Sequence, residues 1–198
     1  IVQAVREAQI WRAGETEPAA GEDRAIILGG GATAAAAVAA MAQLGLKGAQ
    51  AWVRDPNRAA HLMPVAEAAG VDLRIVRLAA GAGVPAAPLV ISTLPPGAAD
   101  PIVALPFGAI GGSVLLDVAY DPWPSPLAVA WSRAGGLVVS GLTMLLHQAA
   151  AQVLAMTGRA APVEAMRAAL EAARPGGTAV GRSSRQVGGA PSTPERPQ

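Results

Sequence analysis

The sequence predicts an α/β fold: a doubly wound sheet of six parallel strands, followed by C-terminal helices. Three observations predict it. Short β-branched or apolar runs recur between Ala-rich stretches of helical character. Those runs are apolar throughout instead of alternating, as strands covered on both faces are. After the sixth run the pattern changes to helix alone.

The elements follow in order. Ile1, Val2, Val5 and Ile10 have helix-like spacing, so residues 1–13 read as a helix and GETEPAAGEDR as a polar linker. The strands are AIIL (25–28), AQAWV (49–53), DLRIV (72–76), LVIS (89–92), SVLLD (113–117) and LVVS (137–140). Segments 32–44, 57–69, 98–105 and 125–134 read as the helices between them. Residues 141–157 carry apolar side chains on most faces and predict a largely buried helix. Pro162 opens a second helix, because proline suits the first helical turn. From Arg174 onward the chain is rich in Gly, Pro and Ser, which predicts disorder. The expected organisation is a connecting helix and linker (1–23), a dinucleotide-binding domain (24–140), C-terminal helices (141–173) and a tail (174–198).

Composition narrows the function. With 52% hydrophobic and 15% charged residues, the 198-residue chain can build a substantial core, and with few aromatics that core must be Ala, Val, Leu and Ile. A net charge of +1 argues against nucleic acid and against an anionic membrane surface as partners. The absence of cysteine removes disulfide and thiolate chemistry and fits a cytoplasmic location. No apolar run reaches a membrane span of about 20 residues. The first residues lack signal-peptide character, and an initial Ile in place of Met predicts a piece of a longer product. No metal site is expected.

The strand AIIL runs directly into GGGATAAAAVAAMAQLG, where Gly29, Gly31 and Ala34 fit G-x-G-x-x-A. Glycines there allow a tight turn and bring backbone amides close to a pyrophosphate, and the following helix offers its N-terminal amides and dipole. The bland reading is a plain turn; a strand before and a helix after favour a Rossmann-like dinucleotide site. Where an NAD-binding domain places an acid at the end of its second strand, this chain has Val53 and Arg54, with Arg58 four residues on. Cations there suit a 2′-phosphate and predict NADP, unless they are merely solvated. Asp55 would either repel that phosphate or cap the helix beginning at Pro56.

The run 115–158 resembles the shikimate dehydrogenase family in order and spacing. The matched positions are Asp117, Tyr120, Pro122, Ser125-Pro126-Leu127, then Gly141, Met144, Leu145, Gln148 and Gly158. GGGATAAA resembles the family's glycine turn with Ala35 where Arg is common. VRDPNRA resembles its phosphate-selecting segment, keeping Arg54 and Arg58. ISTLPPG (91–97) and MRAAL (166–170) also agree. The resemblance implies reversible reduction of 3-dehydroshikimate to shikimate with NADPH. It implies cofactor contacts at Gly29, Gly30, Gly31, Ala32, Thr33, Arg54, Arg58, Thr93, Leu94, Val118, Gly141 and Met144, and substrate contacts at Gln148 and Tyr120. Without the motif, Gln148, in line with Met144 and Gln152 on one helical stripe, reads as solvated, and Tyr120 as a half-buried packing residue. His61 and His147 read as ordinary helix-surface positions.

The same resemblance places the family's catalytic Lys and Asp in an N-terminal substrate domain whose motifs do not occur here, so no catalytic residue is assigned to this chain. Its only lysine, Lys47, falls in a turn at the N-terminal edge of the sheet, away from the ligand crevice. The partners expected are the small-molecule substrate, the missing N-terminal substrate domain and, through uncovered apolar surface, a second copy in a homodimer. The alternatives are a non-catalytic NADP-binding remnant, a quinate dehydrogenase, or a more distant tetrahydrofolate-linked relative.

Overall fold

In a computed structural model the structure describes residues 1–8, 24–78, 86–103 and 113–173. Residues 9–13 of the predicted first helix, nearly all of the predicted linker, the end of the predicted 98–105 helix and the tail from 174 lie outside the described residues. By compactness the chain divides into two units, 1–163 and 164–198.

Six strands form one all-parallel sheet in the first unit: β1 (Arg24–Leu28), β2 (Gly48–Val53), β3 (Asp72–Arg77), β4 (Leu89–Ser92), β5 (Val114–Asp117) and β6 (Leu137–Ser140). Their order is β3-β2-β1-β4-β5-β6. The chain therefore winds one way from β1 to β3, returns, and winds the other way from β4 to β6. Every predicted strand is present, with boundaries displaced by at most one residue.

Burial on both faces explains the unbroken apolar runs. Along β1, Ala25 and Ile27 join one core cluster, whereas Ile26 and Leu28 join the other. The first cluster lies against α1 (Val2–Glu7), α2 (Ala32–Gln43), α3 (Leu62–Ala69) and α6 (Gly141–Thr157). In α2 the buried residues are Ala34, Ala37, Val38, Ala40 and Met41, the 3.6-residue stripe of a helix laid on a sheet. The opposite cluster receives Ile102 of α4 (Asp100–Val103) and Leu127 and Trp131 of α5 (Pro126–Arg133). The edge strands are less apolar for the same reason, and Leu137 on β6 is exposed.

Two expectations require correction. Segment 57–69 is not one helix: a 3₁₀ turn (Asn57–Ala59) precedes α3. Pro64 accounts for the break, since it has no N–H to donate and its ring would clash with the carbonyl four residues back. Nor is α6 largely buried. Only Gly141 and Leu146 are, while Leu154 is 53% and Met156 85% exposed. Apolar residues on most faces signalled the capacity for burial, but only one side of α6 meets the sheet and α1. In the second unit, α7 (Val163–Ala172) has no buried residue and spaces Arg167 one turn after Glu164, 4.0 Å apart. No helix among the described residues is long and apolar enough to cross a membrane.

Trp131 is the largest side chain with no exposed surface. Trp131→Ala should therefore cost about 3–5 kcal/mol in urea unfolding, the range for large-to-small aromatic changes in cores. Met156→Ala, at an exposed position, should change stability by less than about 0.5 kcal/mol.

Candidate functional site: a cleft at the carboxyl edge of the sheet

The strand registers align one residue from each strand across the carboxyl edge: Val76, Trp52, Leu28, Ser92, Asp117 and Ser140. The residues that follow these positions begin the loops of one continuous strip. At ~4.8 Å between strands, the four spacings from β2 to β6 put the loop after β2 about 19 Å from the loop after β6. Because β1 neighbours both β2 and β4, the winding reverses there and leaves a crevice, the usual ligand position in such sheets.

A cavity of about 440 Å³ opens at this reversal. Gly29, Gly30 and Gly31 form one wall; Arg54, Asp55, Arg58 and His61 form a second. Trp52, Leu78, Leu94, Pro95 and Ala98 contribute an apolar side. Gly29 has φ +108°, and a Cβ there would strike the Thr93 hydroxyl oxygen. Gly30 has no room either: a Cβ would lie 2.9 Å from Val53 Cγ1 and 3.0 Å from Ala59 Cβ. Nothing would meet a Cβ at Gly31, which is the N-cap of α2 with extended backbone and no side-chain cap. Ala32 and Thr33, the first residues of α2, are exposed, and the amides of that first turn have no intrahelical acceptor. Thr93 is fixed from below, its amide and hydroxyl both donating to the Leu28 carbonyl at 2.8 and 2.9 Å.

The basic wall is built by local geometry. Asp55 Oδ1 accepts the Asn57 N–H at 3.0 Å, so this carboxylate caps the turn instead of pairing with an arginine. Arg77 on β3 donates to the Arg54 carbonyl at 3.3 Å and ties the turn to the neighbouring strand. Among the described residues, neither Arg54 nor Arg58 forms a salt bridge. Both are exposed on the cavity wall. Two guanidinium groups beside a cleft without carboxylate partners are suited to a phosphate monoester.

The other half of the strip rests on a buried carboxylate. Asp117, at the end of β5, accepts the Ser125 hydroxyl at 2.5 Å and the Ala119 N–H at 3.2 Å. Ser125 Oγ in turn accepts the Ala128 N–H and caps α5. This chain of bonds brackets the loop holding Tyr120 and two cis X-Pro bonds, Asp121–Pro122 and Trp123–Pro124. The backbone of that loop also sits against Gly141, whose Cβ, if present, would strike the Val118 carbonyl oxygen. Nothing in residue spacing announces the Asp117–Ser125 bond or the Gly141–Val118 contact; the first depends on α5 folding back on β5 and the second on β5 lying beside β6.

Of the residues singled out by sequence, Gly29, Gly30, Gly31, Arg54, Arg58, Thr93 and Leu94 share the cavity. Ala32 and Thr33 flank it on α2. Val118 and Gly141 lie farther along the strip, and Met144 is half-buried against the main core cluster. Tyr120, 50% exposed, and Gln148, exposed on α6, do not line this cavity. Of the two histidines read as ordinary helix-surface positions, His61 is exposed at the N-cap of α3, whereas His147 is only partly exposed. His61 is on the cavity wall, and His147 Nε2 lies 2.9 Å from Glu7 Oε1, between α6 and α1, without the alignment of a hydrogen bond. Lys47 is at the opposite edge, where its carbonyl accepts the Asp72 N–H beside the start of β2. No group of three or more acidic, His or Cys side chains able to hold a metal ion occurs among the described residues.

Comparison with known proteins decides the affiliation. Residues 141–171 match the Shikimate 5′-dehydrogenase C-terminal domain. The shikimate dehydrogenase (NADP(+)) of Moorella thermoacetica is 35% identical over 169 residues, 80% of this chain and 57% of that protein. The crystal structure of Mycobacterium tuberculosis shikimate dehydrogenase is 44% identical, with a TM-score of 0.63, over 75% of this chain and 56% of that one. The chain belongs to the shikimate dehydrogenase family. A second solved relative, the shikimate 5-dehydrogenase of Mycobacterium fortuitum, is 38% identical with a TM-score of 0.62, covering 85% of this chain and 59% of that one. The chain thus spans about half the length of the family members it matches.

Ser125→Ala should destabilise the domain by roughly 2 kcal/mol, combining a lost N-cap with a lost donor to a buried carboxylate. Ser125→Thr, which keeps the hydroxyl, should retain most of that stability in the same denaturant titration.

Proposed function

We propose that this chain is the cofactor-binding part of an NADP-dependent shikimate dehydrogenase, an oxidoreductase interconverting 3-dehydroshikimate and shikimate. One observation carries the reading: the glycine turn and two arginines that pair with no carboxylate among the described residues line a single cavity at the winding reversal. The Cβ-free surface of Gly29 and Gly30 and the open amides of α2 fit a pyrophosphate, and Arg54 and Arg58 fit the 2′-phosphate. Thr93, Leu94, Val118, Gly141 and Met144 continue along the strip on the side where the nicotinamide would extend. When bound, the nicotinamide supplies the hydride. Residues 24–140 form the cofactor domain in this reading, and 141–173 the C-terminal helices.

Tyr120 and Gln148 are assigned to the substrate. Both are exposed beyond the Val118–Gly141 contact, where a phenol and an amide can reach the hydroxyls of a polar ring. Proton transfer at the carbonyl oxygen is assigned to no residue of this chain, since Lys47 lies at the far edge of the sheet. The protein's contribution here is to hold the dinucleotide extended and to present one wall of the substrate cleft.

Titration with NADP(+) and NAD(+) tests the cofactor. Arg54→Ala and Arg58→Ala should each weaken NADP(+) binding about tenfold or more, the scale of a charge-assisted bond to phosphate, and leave NAD(+) affinity nearly unchanged. Equal affinities of the unmodified chain for the two dinucleotides would refute the assignment. Purified alone, the 198-residue chain should bind NADPH yet give no measurable 3-dehydroshikimate-dependent NADPH oxidation; steady turnover would overturn the division of labour.

A further inference from the structure

His61 ends the turn that supplies Arg58, standing at the N-cap position of α3. It is exposed on the same cavity wall as Arg54 and Arg58. Its Nδ1 lies 3.0 Å from the Arg58 carbonyl oxygen. A carbonyl can only accept, so Nδ1 carries the hydrogen and the ring is held in one tautomer. Nε2 is the nitrogen left for a proton or a ligand, and no described residue bonds to it.

We infer that His61 is a third, proton-dependent element of 2′-phosphate recognition, which ties the preference for NADP over NAD to pH. The inference rests on the reading of this cavity as an NADP site. The charges around the ring set its direction. Arg54 and Arg58 share the cavity wall with it, Arg77 donates to the Arg54 carbonyl, and His61 itself stands at the N-cap of α3. Asp55, the carboxylate on the same wall, has Oδ1 engaged by the Asn57 amide. A docked phosphate monoester carries close to two negative charges and reverses the local field. Protonation of Nε2 then adds a charge-assisted donor to the two guanidinium groups. NAD lacks that phosphate and leaves the cations uncompensated, so it draws no proton.

The sign follows from linkage. A group that gains a proton on binding strengthens binding at low pH, and its contribution disappears as pH rises and the imidazole stays neutral. The phosphate's own second ionisation near pH 6 acts in the opposite direction, because the dianion is the tighter ligand. The ratio of wild type to variant cancels that effect, which a single pH profile does not.

The test measures Kd for NADP(+) and NAD(+) by calorimetry on the full chain as wild type, His61→Gln and His61→Arg, at about pH 6 and about pH 8.5, either side of ordinary imidazole titration. At the lower pH, His61→Gln should bind NADP(+) about tenfold more weakly than wild type, and at the higher pH equally well. His61→Arg should match wild type at the lower pH and exceed it at the higher. NAD(+) affinity should be the same in all three. A wild-type-to-Gln ratio that is independent of pH, or that also appears with NAD(+), overturns the role of His61 and leaves the arginine site standing. No NADP(+) binding at any pH overturns both. Proton NMR supplies a check without variants, because His147 is the only other histidine. The His61 ring resonance should reach its protonated position at higher pH with NADP(+) than with NAD(+); coincident curves overturn the proposal.

Discussion

β1 lies between β2 and β4, and its carboxyl end is crowded from both directions. Thr93 donates twice to the Leu28 carbonyl from one side, and the Gly29 amide donates to the Trp52 carbonyl at 2.9 Å from the other. The next residues must turn inside that space, with Thr93 against the Cα of Gly29 and Val53 and Ala59 against that of Gly30. Two adjacent residues without side chains are the condition for closing it. If the turn opened, α2 would lose its approach to the sheet.

The two halves of the carboxyl edge solve different problems. On the β2 side the chain displays charge, with a carboxylate occupied by its own turn and two arginines left to the cavity. On the β5–β6 side it buries charge. Asp117 is 2% exposed, and donors from Ser125 and Ala119 compensate it. That buried carboxylate fixes the loop carrying Tyr120, much as Gly141 fixes the distance between that loop and α6. A hydrogen-bonded, buried strip on one side and a displayed charge cluster on the other thus share one edge of the sheet.

The sheet was legible because its signal is local and redundant. Runs such as LVIS and VLLD are apolar at every position, and only strands covered on both faces need that. The glycine turn was legible for the same reason, with strand, glycines and helix contiguous in the chain. Legibility failed where a residue's surroundings come from another part of the chain. Asp117 and Ser125, eight residues apart, meet only because α5 folds back on β5. His61 looked like any exposed histidine until the turn brought it beside Arg54 and Arg58. The exposure of α6 is not legible in its sequence, because hydrophobicity records what a helix can bury, not what is there to cover it.

By itself the sequence determined the fold class, the strand limits to within a residue, the glycine turn and its family. These depend on periodicity and on motifs read along the chain. Only the tertiary structure decided which residues share a cavity, that Asp55 caps its turn and leaves Arg54 and Arg58 with no carboxylate partner among the described residues, and which nitrogen of His61 is available. Those facts depend on strand order and on distances between segments that sequence spacing does not encode. A parallel sheet brings loops from six separated places to one edge, and the chemistry of that edge exists only after they meet.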